Sequence, residues 1–230
     1  MYRYGQYCPI AQAVEIVGDR WTLLIIRDLL TGTCHFNELE RGLPGISRGL
    51  LAERLRRLQM MGLLEKQEHG RSRTRYELTE AGRALDGVID ALLVWGTQWA
   101  FGPPQMNELD PVLLMWWMKN RVRRQNLPDQ RVVVQFHFTG AVDETFWLML
   151  TTEDVSVCLT HPGFDVNVLV TADIAALYQV WLGRMEWETA VHEGQIQVDA
   201  IPALARAFPD WFAYSLAAPT VRRVMGEMGV

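Results

Sequence analysis

Apolar residues recur with a helical period through the first hundred positions and with strand-like alternation beyond position 130. Ile10, Ala11, Val14 and Val17 make one helical face after Cys8-Pro9, where proline suits a helix start. Gly18 ends that helix, and Asp19 caps the next, over 20–30. That second helix is apolar nearly all round and predicts the buried centre of a small domain. A third short helix is expected over 36–41, with Phe36 and Leu39 inward. Pro44-Gly45 then breaks the chain, and Ser47 stands as an N-cap. Leu51, Leu55 and Leu58 follow at i, i+4 and i+7, one stripe of an amphipathic helix that Gly62 ends. Residues 63–66 and 75–78 read as two short strands joined by a basic turn. Thr79 caps a long helix bearing Leu85, Val88, Ile89, Leu92, Trp95 and Trp99. This helix is too apolar to lie alone on a small domain, so its outer face predicts a partner chain.

Gly102-Pro103-Pro104 marks a join, giving domains 1–102 and 105–230. Asp110-Pro111 starts a helix with an oily body and a cationic end, Arg121-Val122-Arg123-Arg124. Strands with inward residues follow: Val132, Val134, Phe136 and Phe138; Phe146, Leu148 and Leu150; Val155, Val157 and Leu159; Val166, Val168 and Val170. Thr171 caps a helix with Ile174, Leu177, Tyr178 and Trp181. A strand over 195–198, a helix over 202–208 and an aromatic tail close the chain. Strands first and helices after predict an α+β layer for this half.

Charge divides the chain along the same join. The whole carries −5, yet residues 41–75 hold nine basic and three acidic residues, a net +6. Residues 1–104 hold 13 basic and 12 acidic residues, and 105–230 hold 9 and 15. A basic island in an acidic protein is the footprint of phosphate binding. With the capped helix and the basic hairpin it reads as a winged helix-turn-helix: one helix for the major groove, a wing for the backbone. Ser47, Arg48, Gly49 and Arg56 on the helix, with Arg71, Arg73 and Arg75 on the wing, are the expected DNA contacts. Arg54 and Arg57 serve equally as residues of a solvated helix face. The acidic half would be repelled by DNA and is expected to sit away from it.

Apolar content of 49% supports a sizeable core in 230 residues. The N-terminus has no apolar signal region, and no apolar run is long enough to span a membrane. Three cysteines, odd in number and far apart without ligand-like spacing, point to a reducing cytoplasm and no structural metal. No nucleophile elbow or phosphate loop occurs, so no enzyme and no cofactor are expected.

Residues 8 to about 90 resemble the HxlR-type winged-helix regulators. The matching residues are Cys8-Pro9-Ile10, Gly18-Asp19-Arg20-Trp21-Thr22, Phe36-Asn37-Glu38-Leu39 and Pro44-Gly45-Ile46-Ser47. They continue in Leu51, Leu55 and Leu58, in Gly62-Leu63, and in Tyr76, Leu78, Thr79 and Gly82. The resemblance implies a homodimer built from the first and last helices of this domain, bound to a pseudo-palindromic operator. The second half resembles the sterol carrier protein type 2-like domains, mainly over 164–208. That resemblance rests on the strand over 165–171, Leu182-Gly183, the Ala190 to Gly194 step and the strand with Ile196 and Val198. It implies a mixed sheet covered by helices around a tunnel for lipids or other apolar molecules.

Two further features complete the expectation. Cys8 sits at the family's N-terminal Cys-Pro, where some members sense oxidants or electrophiles, and a helix N-terminus favours thiolate. It serves equally as a small packing residue in a dimer seam. The second half holds seven of ten methionines and six of nine tryptophans, which make either an ordinary core or an adaptable apolar cavity. Trp116, Trp117, Met149 and Trp181 are the expected ligand contacts. His137 reads as a solvated residue or as a polar anchor. The resulting picture is a dimeric, DNA-binding transcriptional regulator whose C-terminal domain senses an apolar ligand. Its rivals are a redox regulator switched at Cys8 with a structural second domain, and a lipid carrier with a vestigial winged helix.

Overall fold

The computed structural model of the chain describes residues 3–67 and 74–229. Packing divides it into two units, Met1–Leu93 and Val94–Val230. The division falls inside a helix, N-terminal to the Gly102-Pro103-Pro104 join. One reason is local: the Arg184 guanidinium donates to the Phe101 carbonyl at 2.8 Å and to that of Gly102, and lies over the Phe101 ring. These bonds hold the Gly102-Pro103-Pro104 segment to the second unit.

In the first unit, α1 (Pro9–Val17) follows Cys8 in extended conformation, and α2 (Thr22–Leu30) is the central helix. Ile25 and Ile26 on α2 are fully buried. Asp19 accepts from the Trp21 and Thr22 amides at 3.2 Å and from the Thr22 hydroxyl at 2.7 Å, so it caps α2 as its sequence position predicts. Next come α3 (Phe36–Gly42) and α4 (Arg48–Met60). Leu51, Leu55 and Leu58 of α4 point into the core with Leu39 and Leu43. Gly62, at φ +70°, lets the chain turn, and the Leu63 amide returns to the Leu58 carbonyl at 3.0 Å. The wing pairs β1 (Leu64–Gln67) with β2 (Arg75–Leu78) antiparallel, Leu64 opposite Leu78.

The long helix expected after Thr79 is instead two. Thr79 caps α5 (Glu80–Arg83), the chain turns at 84–85, and α6 (Asp86–Trp99) follows. At the turn the Leu85 amide donates to the Gly82 carbonyl at 3.2 Å, a tighter step than the α-helix makes. A Cβ on Gly82 would meet the Leu63 carbonyl oxygen at 2.2 Å, so α5 lies hard against the start of the wing. Leu85 and Ile89 face the first unit's core, while Val88, Leu92, Trp95 and Trp99 are exposed.

The first α-helix lying wholly in the second unit is α7 (Pro111–Asn120), capped by Asp110 through the Leu113 amide at 3.1 Å. Its sheet contains β3 (Val132–Thr139), β4 (Glu144–Leu150), β5 (Val155–Cys158), β6 (Val168–Asp173) and β7 (Ile196–Ala200) in the order β5-β4-β3-β6-β7. The β3–β6 pair is parallel and the others antiparallel, a mixed sheet. Between and after the last two strands run α8 (Ile174–Leu182), α9 (Trp187–His192), α10 (Pro202–Ala207) and α11 (Ala218–Met228). Val134, Phe136, Phe138, Phe146, Leu148 and Val170 share one core with Leu114, Met118, Leu177 and Trp181 of the helices. The expected alternation holds, with three differences. Leu159 lies beyond the end of edge strand β5 and is exposed. Val166 precedes β6, because Asn167 binds the Val133 amide at 2.8 Å and starts the pairing one residue later. Thr171 lies inside β6, and Asp173 caps α8 through the Ala176 amide at 2.9 Å. Among the described residues no helix is long and apolar enough to cross a membrane.

Candidate nucleic-acid interface

The first turn of α4 presents the expected contact residues to solvent. Ser47 is extended (φ −78°, ψ 150°), and its hydroxyl accepts from the Leu50 amide at 3.3 Å. Gly49 is exposed, with open space where a Cβ would stand. A backbone without a side chain there can come close to a phosphate or a base edge. Arg56 is exposed on the outer face and donates from Nε to the Ala52 carbonyl at 3.3 Å. With Gln59 of α4 and Lys66 and Tyr76 of the wing it lines an open groove of about 720 Å³. Helix and wing thus form one continuous concave surface, the shape a duplex backbone needs.

Arg48 is exposed but engaged. Its guanidinium pairs with Glu40, reaches the Asn37 side-chain oxygen at 3.3 Å, and lies 5.0 Å from the Phe36 ring centre. The Phe36-Asn37-Glu38-Leu39-Glu40 stretch therefore aims this arginine, a role that its helical pattern does not reveal. Arg75 donates from Nε to Glu77 at 2.6 Å. Arg71 and Arg73 lie outside the described residues.

Arg54 and Arg57 take the structural role. Both face Asp19 at 3.3 Å, and Arg57 also donates to the Glu15 carbonyl at 2.6 Å. One carboxylate thus caps α2 and tethers α4 to it, which fixes the angle between the central helix and the recognition helix. The cost is that two of the nine cations in the basic island are committed internally.

The cysteines differ in setting. Cys8 is half-buried at the N-terminal end of α1, and its side chain makes no capping bond there. Burial pushes the Cys34 thiol up from its ordinary value; Arg75 opposes this, while Glu38 and Glu77 reinforce it. Burial likewise raises Asp28 on α2 from its ordinary value, against the pull of Arg27 at 2.7 Å.

The four expected ligand contacts of the second unit are not brought together. Trp181 is buried and lines a cavity of about 20 Å³ with Phe136, Trp187, Phe208 and Phe212. Trp116 is buried beneath the Lys119 ammonium, 4.8 Å from its ring centre. Trp117 packs edge-on against Tyr178 at 6.0 Å. Met149 falls on the opposite face of β4 from Phe146, Leu148 and Leu150. Trp187, Phe208 and Phe212 line the cavity without being among the four expected contacts; Trp187 belongs to the tryptophan-rich second half, Phe208 ends the helix expected over 202–208, and Phe212 lies in the aromatic tail. His137 also lies on the outer sheet face, 3.2 Å from the Thr145 hydroxyl and 3.8 Å from Asp143.

Residues 16–102 match the HxlR-like helix-turn-helix family. The HTH-type transcriptional regulator YvaP of Bacillus subtilis (strain 168) is 35% identical over 98 residues, covering 41% of this chain and 91% of YvaP. The chain belongs to the HxlR-like helix-turn-helix family. Rv3095, an HTH-type regulator of Mycobacterium tuberculosis (strain ATCC 25618 / H37Rv), is 42% identical over 100 residues, 41% of this chain. The chain spans 63% of the length of that mycobacterial relative. Among solved structures, quinone-bound YodB from B. subtilis is 36% identical with a TM-score of 0.36, covering 40% of this chain and 99% of that one. The family match ends at residue 102, so the mixed sheet and its helices lie outside it.

Proposed function

We propose that the chain is a homodimeric, DNA-binding transcriptional regulator of the HxlR type that recognises a pseudo-palindromic operator. The observation that carries this reading is the Ser47-capped α4, which presents Arg48, Gly49 and Arg56 to solvent and whose Arg56 shares one groove with Lys66 and Tyr76 of the wing, all inside the family match. Base edges are read from the N-terminal half of α4, and wing cations hold the phosphates. The exposed apolar residues Ile10 and Val14 of α1 and Val88, Leu92, Trp95 and Trp99 of α6 support the dimer. Selection of bound duplexes from a random-sequence pool tests the reading. An inverted repeat with strongly salt-dependent affinity is the expected result; binding that ignores salt, or no selected sequence, overturns it.

The second domain, 105–230, binds an apolar small molecule in this reading and alters operator affinity. Its support is the mixed sheet with helices packed on one face and the aromatic lining around Trp181, which fit a sterol carrier-like fold. A cavity of about 20 Å³ holds about one water, so a larger ligand enters only if Trp187, Phe208 and Phe212 move apart. Mass spectrometry of apolar molecules that co-purify with the native protein is the direct check. A second reading, a redox switch at Cys8, draws on its half-buried, uncapped position at the start of α1. There Cys8→Ser keeps DNA affinity and loses the response to diamide. A wild type indifferent to diamide leaves Cys8 as a packing residue.

A further inference from the structure

We propose that Cys34, His35 and Glu38 form a binding site for a thiophilic divalent transition ion of the zinc class, at the base of the wing. Their ligand atoms all lie within 4.8 Å of one another. All three residues are half-buried, so an ion can reach them from solvent. The local chain explains the convergence. Cys34 and His35 lie ahead of α3, with His35 extended (φ −113°, ψ 146°), and Glu38 stands in the first turn of the helix. That turn brings the carboxylate back beside the two side chains that precede it.

The donor set suits the ion. A thiolate, an imidazole and a carboxylate give three protein ligands and leave a fourth position to water, an arrangement zinc accepts. The sulfur disfavours calcium and magnesium, which take oxygen shells. The histidine is already oriented. His35 Nδ1 lies 2.9 Å from the Thr74 carbonyl oxygen, and a carbonyl only accepts, so Nδ1 carries the proton and Nε2 keeps its lone pair. A backbone carbonyl on the far nitrogen is the usual outer-shell support of a metal-bound histidine. On binding, the Cys34 thiol releases its proton to solvent, and the ion gives up hydration water. The thiolate and the Glu38 carboxylate then offset the ion's two positive charges.

The site is joined to the wing through the backbone. The Tyr76 amide donates to the Cys34 carbonyl at 2.8 Å, and His35 bridges Arg75 antiparallel. Occupancy therefore stiffens residues 34–38, the segment to which β2 is bonded at the wing's root. Only this consequence rests on the DNA-binding reading; ion binding itself does not.

Titration of the reduced, full-length protein with Co²⁺ in the absence of DNA tests the site. The expected result is a thiolate-to-cobalt charge-transfer band that saturates at one ion per chain and is abolished by Zn²⁺. Cys34→Ser removes the band, whereas Cys8→Ser and Cys158→Ser retain it. Glu38→Gln is nearly isosteric and gives an independent reading should Cys34→Ser fail to fold. It weakens Co²⁺ binding about tenfold or more, by analogy with the loss of outer-shell support. No band in the wild type, a band that survives Cys34→Ser, or unchanged affinity in Glu38→Gln overturns the proposal. Failure of operator binding, measured separately, leaves this outcome untouched.

Discussion

The two units place their distinctive side chains in opposite ways. In the first, the residues assigned to DNA stand outside the core, and most of the surrounding polar contacts serve to aim them. Asp19 fixes α4 through Arg54 and Arg57, and Glu40 with Asn37 positions Arg48. In the second, Phe136, Phe138, Trp181, Phe208 and Trp211 turn inward and fill space, leaving a cavity of about 20 Å³. A surface that must meet a charged partner is already formed before binding. An interior that is to admit a molecule must first give up packing, because protein cores are filled to near crystal density.

The sharpest way to break this contrast is a deletion in each region. Phe136→Ala, at a fully buried site between sheet and helices, should cost about 3–5 kcal/mol of stability while the folded protein keeps its operator affinity. Chemical denaturation and a DNA titration on the same sample check both halves of that statement. Asp19→Ala removes one carboxylate that serves a helix cap and two guanidinium groups, and should cost roughly 1–3 kcal/mol. It should also weaken DNA binding indirectly, by loosening the angle between α2 and α4. Rescue of affinity by a stabilising osmolyte would distinguish this from a lost contact.

Arg48→Ala should weaken specific binding by about 1–3 kcal/mol and relax base preference, because base-edge contacts specify. Arg73→Ala should instead weaken all duplexes about equally and flatten the salt dependence, because phosphate contacts only position the protein. Equal affinity of both variants and the wild type for operator would end the docking scheme. Glu40→Gln sharpens it: if Glu40 aims Arg48, its loss should lower sequence discrimination more than total affinity.

The smallest effect concerns Asp28. Burial raises its folded-state pKa, so the folded state holds this proton more tightly than the unfolded chain does. The stabilisation from this group is complete below the unfolded carboxyl value and is lost as pH rises through the raised one. Asp28→Asn should remove that share of the pH dependence, read as a shallower change in denaturation midpoint between acid and neutral pH. An unchanged slope would show that the Arg27 pair cancels the effect of burial.

Much of this was legible along the chain because its causes are local. Leu51, Leu55 and Leu58 lie within two helical turns, Ser47 and Asp110 cap amides three residues ahead, and the strands of the second unit alternate with a period of two. Periodicity and capping act over four or so residues, so reading the order of residues suffices for them. Other features depend on segments far apart in sequence. Asp19 meets Arg57 across 38 positions and His35 meets Thr74 across 39. Gly82 has no room for a side chain because a carbonyl nineteen residues earlier, at Leu63, lies against it. Met149 and Trp181 share a composition that suggests one pocket, yet strand register puts Met149 on the far face of the sheet. Which side chains meet is set by register and by how the elements dock. Those depend on the fit of whole surfaces, which no short stretch of residues encodes.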